Sequence, residues 1–236
     1  SQGYYDGYGG AVYVRDGVLV VVDVEFESNA AESLGPDVGG GAIALIGSKR
    51  AVIAGSVFHA NTGANGGAIA SLNSDFDVYN STFDGDAAQG NGANGDDANM
   101  CPVVATNGQH QTGSGGNGGA IVIDGGSDGT HTFCGSTFTN NTGGVKALGG
   151  AIFRTPDLAK QDTAIDRCTF DGNHGESGGA AYFHNSTLAV HATTFSNNTA
   201  TKGSGALQAD GTTFDLANDT FTGNSALAGL GGALSL

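Results

Sequence analysis

Apolar residues along this chain fall into short runs with a two-residue alternation, separated by Gly, Asn, Ser or Asp. Alternation of that period marks a strand with one buried face, and the runs are too short for helices. Aligning them gives three columns. The first holds Val12, Ile43, Ile69, Ile121, Ile152, Ala181, Leu207 and Leu234. The second holds Val21, Ile53, Val78, Phe133, Ile165, Val190 and Leu216. The third is all phenylalanine: Phe26, Phe58, Phe83, Phe138, Phe170, Phe195 and Phe221.

Two motifs frame the columns. Gly-Gly-Ala precedes the first column, starting at Gly9, Gly40, Gly66, Gly118, Gly149, Gly178 and Gly231, with Ser-Gly-Ala at Ser204; the eight alanines are spaced 31, 26, 52, 31, 29, 26 and 27 residues apart. Phe-x-x-Asn adds Asn29, Asn61, Asn141, Asn173, Asn198 and Asn224, and after Phe83 the fourth position is Asp86 instead. Self-similarity at such a period is the signature of a stacked repeat. Three short strands per repeat predict an all-β fold, a right-handed parallel β-helix, as one domain over residues 1–236. About eight to nine coils would stack about 4.8 Å apart. Like residues then form ladders: phenylalanines inside, and asparagines at a corner, where Asn tolerates left-handed backbone.

One interval breaks the period. From Phe83 to Ala120 is 37 residues, against 10 to 16 in the other repeats. Residues 84–117, rich in Gly, Asn and Asp, are therefore read as an insertion, or an insertion plus one degenerate coil. Long loops in compact folds are usually functional or disordered.

Gly-Gly-Ala-Ile, present four times and ending at Ile43, Ile69, Ile121 and Ile152, together with Phe-x-x-Asn, resembles the repeat of the polymorphic outer-membrane protein family. In that family such repeats build β-helical passenger regions on bacterial surfaces, secreted by the autotransporter route. The resemblance covers the chain outside 84–117. It implies a secreted or cell-surface location and an adhesive role. The family's C-terminal transmembrane barrel has no counterpart in this sequence.

Composition narrows the function classes. Of 236 residues, 43 are Gly and only 3 Pro, without a three-residue period, which is not collagen. The net charge is −15, and residues 51–145 carry eight acids with no Lys or Arg, so no basic face for nucleic acid or anionic lipid can be built there. No apolar run is long enough for a membrane-spanning helix. The acidity suits an extracellular medium.

Four kinds of candidate site follow. For a polysaccharide lyase or hydrolase, the best cluster is Arg154, Lys160 and Arg167, whose charge would neutralise a uronate; the plainer reading is surface ion pairs. Asp84, Asp86, Asp96 and Asp97 offer carboxylate oxygens to calcium, although their spacing matches no standard calcium loop. Among Cys101, Cys134 and Cys168, Cys101–Cys134 is the candidate disulfide, which would pin the insertion to the stack. Threonines flanking the phenylalanines form an outward row that suits a flat ordered surface, such as crystalline sugar or ice, or simply an exposed strand face. The expected role is structural or adhesive, with end-to-end self-association into a fibre and a carbohydrate or cell-surface ligand as the expected partners. The runner-up is a polysaccharide-active enzyme or binding module.

Overall fold

The structure, a computed structural model, describes residues 7–33, 38–90, 115–125, 130–155, 162–229 and 231–235. The described residues contain 27 strands and no helix, and every strand pairing is parallel. The chain is a right-handed parallel β-helix. No helix is long and apolar enough to cross a membrane among these residues.

Each coil lays one strand on each of three sheets. The first, here the Ile sheet, stacks eight strands from Val12–Arg15 through Ile43–Ile46, Ile69–Leu72, Ile121–Asp124, Ile152–Thr155, Ala181–His184 and Leu207–Asp210 to Leu234–Ser235. The Val sheet has seven, from Val18–Val22 to Thr213–Ala217, and the Phe sheet seven, from Glu25–Glu27 to Thr220–Thr222. Short two-residue strands such as Thr62–Gly63 and Thr199–Ala200 complete the coil after the Phe sheet. The described residues thus make seven full coils and the first strand of an eighth. Ile69 pairs directly with both Ile43 and Ile121, so the 52-residue interval is one coil carrying an insertion, with no degenerate coil inside it.

That insertion is narrower than its composition implied. Asp84 ends a Phe-sheet strand, Ala87–Ala88 forms the next short strand, and Gly115–Asn117 lie in the coil again. Gly90 and Gly115 meet so closely that a Cβ on Gly90 would lie 2.0 Å from the Gly115 carbonyl carbon. The chain therefore leaves and rejoins the coil at one point, and residues 91–114 fall outside the described residues.

The three predicted columns are the core. Ile43, Ile69, Ile121 and Ile152 are fully buried, as are Ile53, Val78, Phe133 and Val190 across from them. The seven phenylalanines stack ring over ring with centroids 4.5–4.9 Å apart and planes within 13° of parallel. The Gly-Gly-Ala corner works by two different constraints. Gly149 has φ +72°, and the neighbouring Gly150 lies so close to the next coil that a Cβ would sit 1.9 Å from Gly179 O. Left-handed backbone and close approach each exclude a side chain.

The asparagines form the predicted ladder, and each ties three coils. Asn173 Oδ1 accepts from Asn141 N–H at 3.0 Å and Asn141 Nδ2 at 3.0 Å. Asn173 Nδ2 donates forward to Asn198 Oδ1 and back to Phe138 O, both at 2.9 Å. Asn61, Asn141 and Asn198 repeat the pattern, Asn29 begins it, and Asn224 closes it on Phe195 O. Ser56, Ser81, Ser136 and Thr193 form a second side-chain-to-backbone ladder between the Val and Phe sheets, each hydroxyl accepting from an amide of the coil before it, and Cys168 fills the position between Ser136 and Thr193.

These contacts set the expected cost of breaking them. Phe170→Ala removes one ring from the stack and is expected to cost about 3–5 kcal/mol. Asn173→Ala strands two donors and two acceptors in the dry interior and is expected to cost more than about 2 kcal/mol. Urea unfolding of the two variants beside the wild type measures both.

Candidate functional site

Parity along each strand decides which side chains reach solvent. On the Phe sheet the phenylalanine points in, and its two neighbours point out. The register stacks these neighbours into two outward columns. The first runs Glu25, Val57, Thr82, Thr137, Thr169, Thr194, Thr220, and the second Glu27, His59, Asp84, Thr139, Asp171, Ser196, Thr222. Five consecutive coils therefore carry threonine in line. Rows are about 4.8 Å apart and columns about 7 Å apart. β-Branched threonine has few side-chain rotamers, so the hydroxyl row is stiff.

The second column is not a plain hydroxyl row with interruptions. Asp84 Oδ1 accepts from Thr139 Oγ1 at 2.8 Å and Asn140 Nδ2 at 3.1 Å on the next coil, and Asp84 Oδ2 lies 3.3 Å from His59 Nδ1 on the coil before. Asp171 repeats the arrangement with Ser196 Oγ at 2.6 Å and Asn197 Nδ2 at 2.8 Å. Partial burial alone would raise the Asp84 pKa, but the two donors and His59 outweigh it and hold the carboxyl below its ordinary value. At Asp171 the Ser196 and Asn197 hydrogen bonds lower it. Each clamp fixes a carboxylate on the flat face. The sequence signal for it was an Asp one coil before a Thr-Asn or Ser-Asn pair, which only coil alignment exposes.

Of the calcium candidates, Asp84 and Asp86 do not face a common site. Asp84 faces solvent with its oxygens already engaged, whereas Asp86 faces inward and is fully buried in the asparagine ladder. Asp96 and Asp97 lie outside the described residues. Among the described residues no three His, Cys, Asp or Glu side chains converge on one point.

Nor does the structure bring Arg154 and Arg167 together. Arg154 occupies an inward position of the Ile sheet, in register with Ile123 and Phe183, and is fully buried. Its Nη1 donates to the Thr163 hydroxyl across the interior. Burial pushes its pKa down to about 10, against the pull of Asp162 and Asp75, so it stays charged at neutral pH. His131 lies in the same polar patch, 2% exposed, with Nδ1 3.4 Å from the Phe76 backbone. Burial, and then the Arg154 charge, push His131 down to about 3, which keeps it neutral. Arg167 instead sits outside, on a left-handed corner with φ 50°, paired with Asp166 at 2.8 Å. Lys160 lies outside the described residues. A guanidinium sealed inside the solenoid cannot touch a polymer on its surface, so Arg154 is a core residue.

Arg167 also lies against Cys134. Its Nη2 lies 3.0 Å from Cys134 Sγ, and Cys134 and Cys168 are both free thiols. Cys101 lies outside the described residues. Cys168 takes a rung of the serine ladder, donating toward Phe133 O at 3.4 Å, and burial pushes its pKa up to about 12.

Outside the Ile sheet, Ala70, Val122, Phe153 and Tyr182 make a small apolar cluster under Leu148, with the Tyr182 hydroxyl bonded to Asp210. The cleft beside it, lined by residues including Asn65, Asn117 and Phe153, has a volume of about 30 Å³. That is room for a water, not for a sugar ring. Outward asparagines cap the corners: Asn80 leans over Gly135, and Asn185 over Gly211, where a Cβ would lie 2.3 Å from the Asn Oδ1. This explains the recurrent Asn-x-Thr triplets as corner chemistry.

No protein-family model matches the chain, and neither a curated protein nor a solved structure matches it.

Two expectations follow from the placements. Arg154→Ala opens the interior and is expected to cost about 2 kcal/mol or more, with Arg154→Met costing less because it keeps the stem; Arg167→Ala is expected to leave the urea midpoint unchanged. In the native protein a thiol reagent is expected to label Cys134 within minutes while Cys168 stays unlabelled until unfolding, as read by peptide mass spectrometry.

Proposed function

We propose that the protein is a secreted or cell-surface β-solenoid with a structural and adhesive role, and that it adheres through the outer face of its Phe sheet. The observation that carries this reading is the row Thr82, Thr137, Thr169, Thr194 and Thr220, held in strict register beside the fixed carboxylates of Asp84 and Asp171. A stiff periodic face loses little entropy on binding, and it matches a partner that is itself flat and periodic. Methyls give apolar contact while hydroxyls and carboxylates exchange hydrogen bonds, the chemistry of an ordered polysaccharide surface. The Gly-Gly-Ala-Ile and Phe-x-x-Asn resemblance to surface passenger repeats supports the location.

Self-association belongs to the same proposal. Val18, Val20 and Val22 point off the outer face of the Val sheet and are 54–69% exposed, an apolar β-branched strip that gains from meeting a second copy.

Co-sedimentation with insoluble cellulose and chitin tests the adhesive face. Wild-type protein is expected to pellet with at least one of them. Thr169→Arg, which puts a long cation in the middle of the row, is expected to weaken binding at least tenfold. Thr187→Arg, outward on the Val sheet, is expected to bind like wild type. Equal binding by all three proteins would move adhesion off this face, and no binding to any ordered surface would remove the adhesive reading.

A further inference from the structure

The asparagine ladder has one rung that is not asparagine. Asp86 is fully buried, and its Oδ1 does the ladder's work: it accepts from Asn61 N–H at 2.8 Å and Asn61 Nδ2 at 2.9 Å. Its own N–H donates to Asn141 Oδ1 at 3.0 Å. Its Oδ2, buried and without a hydrogen-bond partner, sits where every other rung has an amide nitrogen.

The neighbouring rungs say what that position faces. Asn141 Nδ2 donates to the next rung's Oδ1 and to the previous coil's Phe83 O, and Asn173 and Asn198 do the same. The equivalent acceptors for Asp86 are Asn141 Oδ1 and Phe58 O. A carboxylate oxygen there would oppose acceptors with no donor between them. A carboxylic acid would place an O–H where the Nδ2–H belongs. We propose that Asp86 is held as the neutral acid, its Oδ2 proton standing in for an asparagine amide hydrogen, and that this proton makes the joint between the coils of Asn61 and Asn141 pH-sensitive.

The surrounding charges do not reverse this. On the coil before, His59 favours the carboxylate; on Asp86's own coil, Asp84 opposes it. The facing segment of the next coil, Thr137 to Thr142, carries no titratable side chain. Desolvation is the largest influence and, against the two Asn61 donors that favour the carboxylate, lifts the Asp86 pKa to about 7. An unfolded Asp titrates near 4. Between those values the folded chain holds a proton that the unfolded chain has released, so folding weakens as pH rises through the window and levels off above it. Acid therefore tightens this joint. Asp84 and Asp171, whose pKa values are lowered, act in the opposite sense, with stability lost as pH falls below about 4.

Asp86→Asn supplies the missing amide without the proton. The test is urea unfolding of the full chain and of Asp86→Asn from about pH 4 to about pH 8. The ratio of their folding constants, variant over wild type, is expected to rise by up to about tenfold per pH unit to about pH 7 and then flatten. A ratio that does not change with pH would overturn the proposal. Carbon-13 NMR of the Asp86 carboxyl in the wild type reads the same proton without any variant. A midpoint near 7 supports the proposal, and a midpoint near 4 overturns it.

Discussion

Coil-to-coil register is the constraint on which everything else in this protein depends. A parallel solenoid has no hairpins to fix its pairing, so each new coil could slide by a residue and turn its core outward. The asparagine ladder prevents that slide. Because one Asn side chain bonds the coil after it and the coil before it, a shift by a single residue would leave its four hydrogen bonds unmade in a dry interior. The phenylalanine stack sits three residues away and inherits the same register, which holds its rings in parallel contact.

That register also creates the outer face. The phenylalanine is buried, so its flanking residues must be exposed, and stacking makes them a lattice. A hydroxyl row and two carboxylate clamps appear on the surface as the consequence of an interior ladder. The acidity follows a related logic. Asp84 and Asp171 are fixed by neighbours on the next coil, whereas Asp86 does not reach the surface at all. Carboxylates two residues apart in sequence thus serve opposite sides of the wall.

Most of the fold was legible because the three columns and the asparagine corner repeat residue identity as well as polarity. The coil number was harder to read: only pairing shows that Ile69 sits directly under Ile121. The site was less legible, for reasons that particular residues make clear. Arg154 lies in a segment dense with charge, and charge suggested surface. Strand parity pointed the other way, since Ile152 and Arg154 alternate with Phe153 as Ile121 and Ile123 do with Val122. The Asp84 clamp was hidden because its donors lie 55 and 56 residues further along the chain. Asp86 broke the asparagine motif in plain view, but the meaning of that break lies in what its second oxygen faces.

Amide hydrogen exchange tests the ladder as the organising interaction. The backbone N–H groups of Asn61, Asn141, Asn173 and Asn198 sit at corners, outside the named strands, and donate only to side-chain oxygens. If the ladder holds the stack together, these amides exchange as slowly as those of the buried Ile-sheet strands, released only by global unfolding. Exchange at the rate of exposed turns would mean that the strands hold the coils and the asparagines merely decorate them.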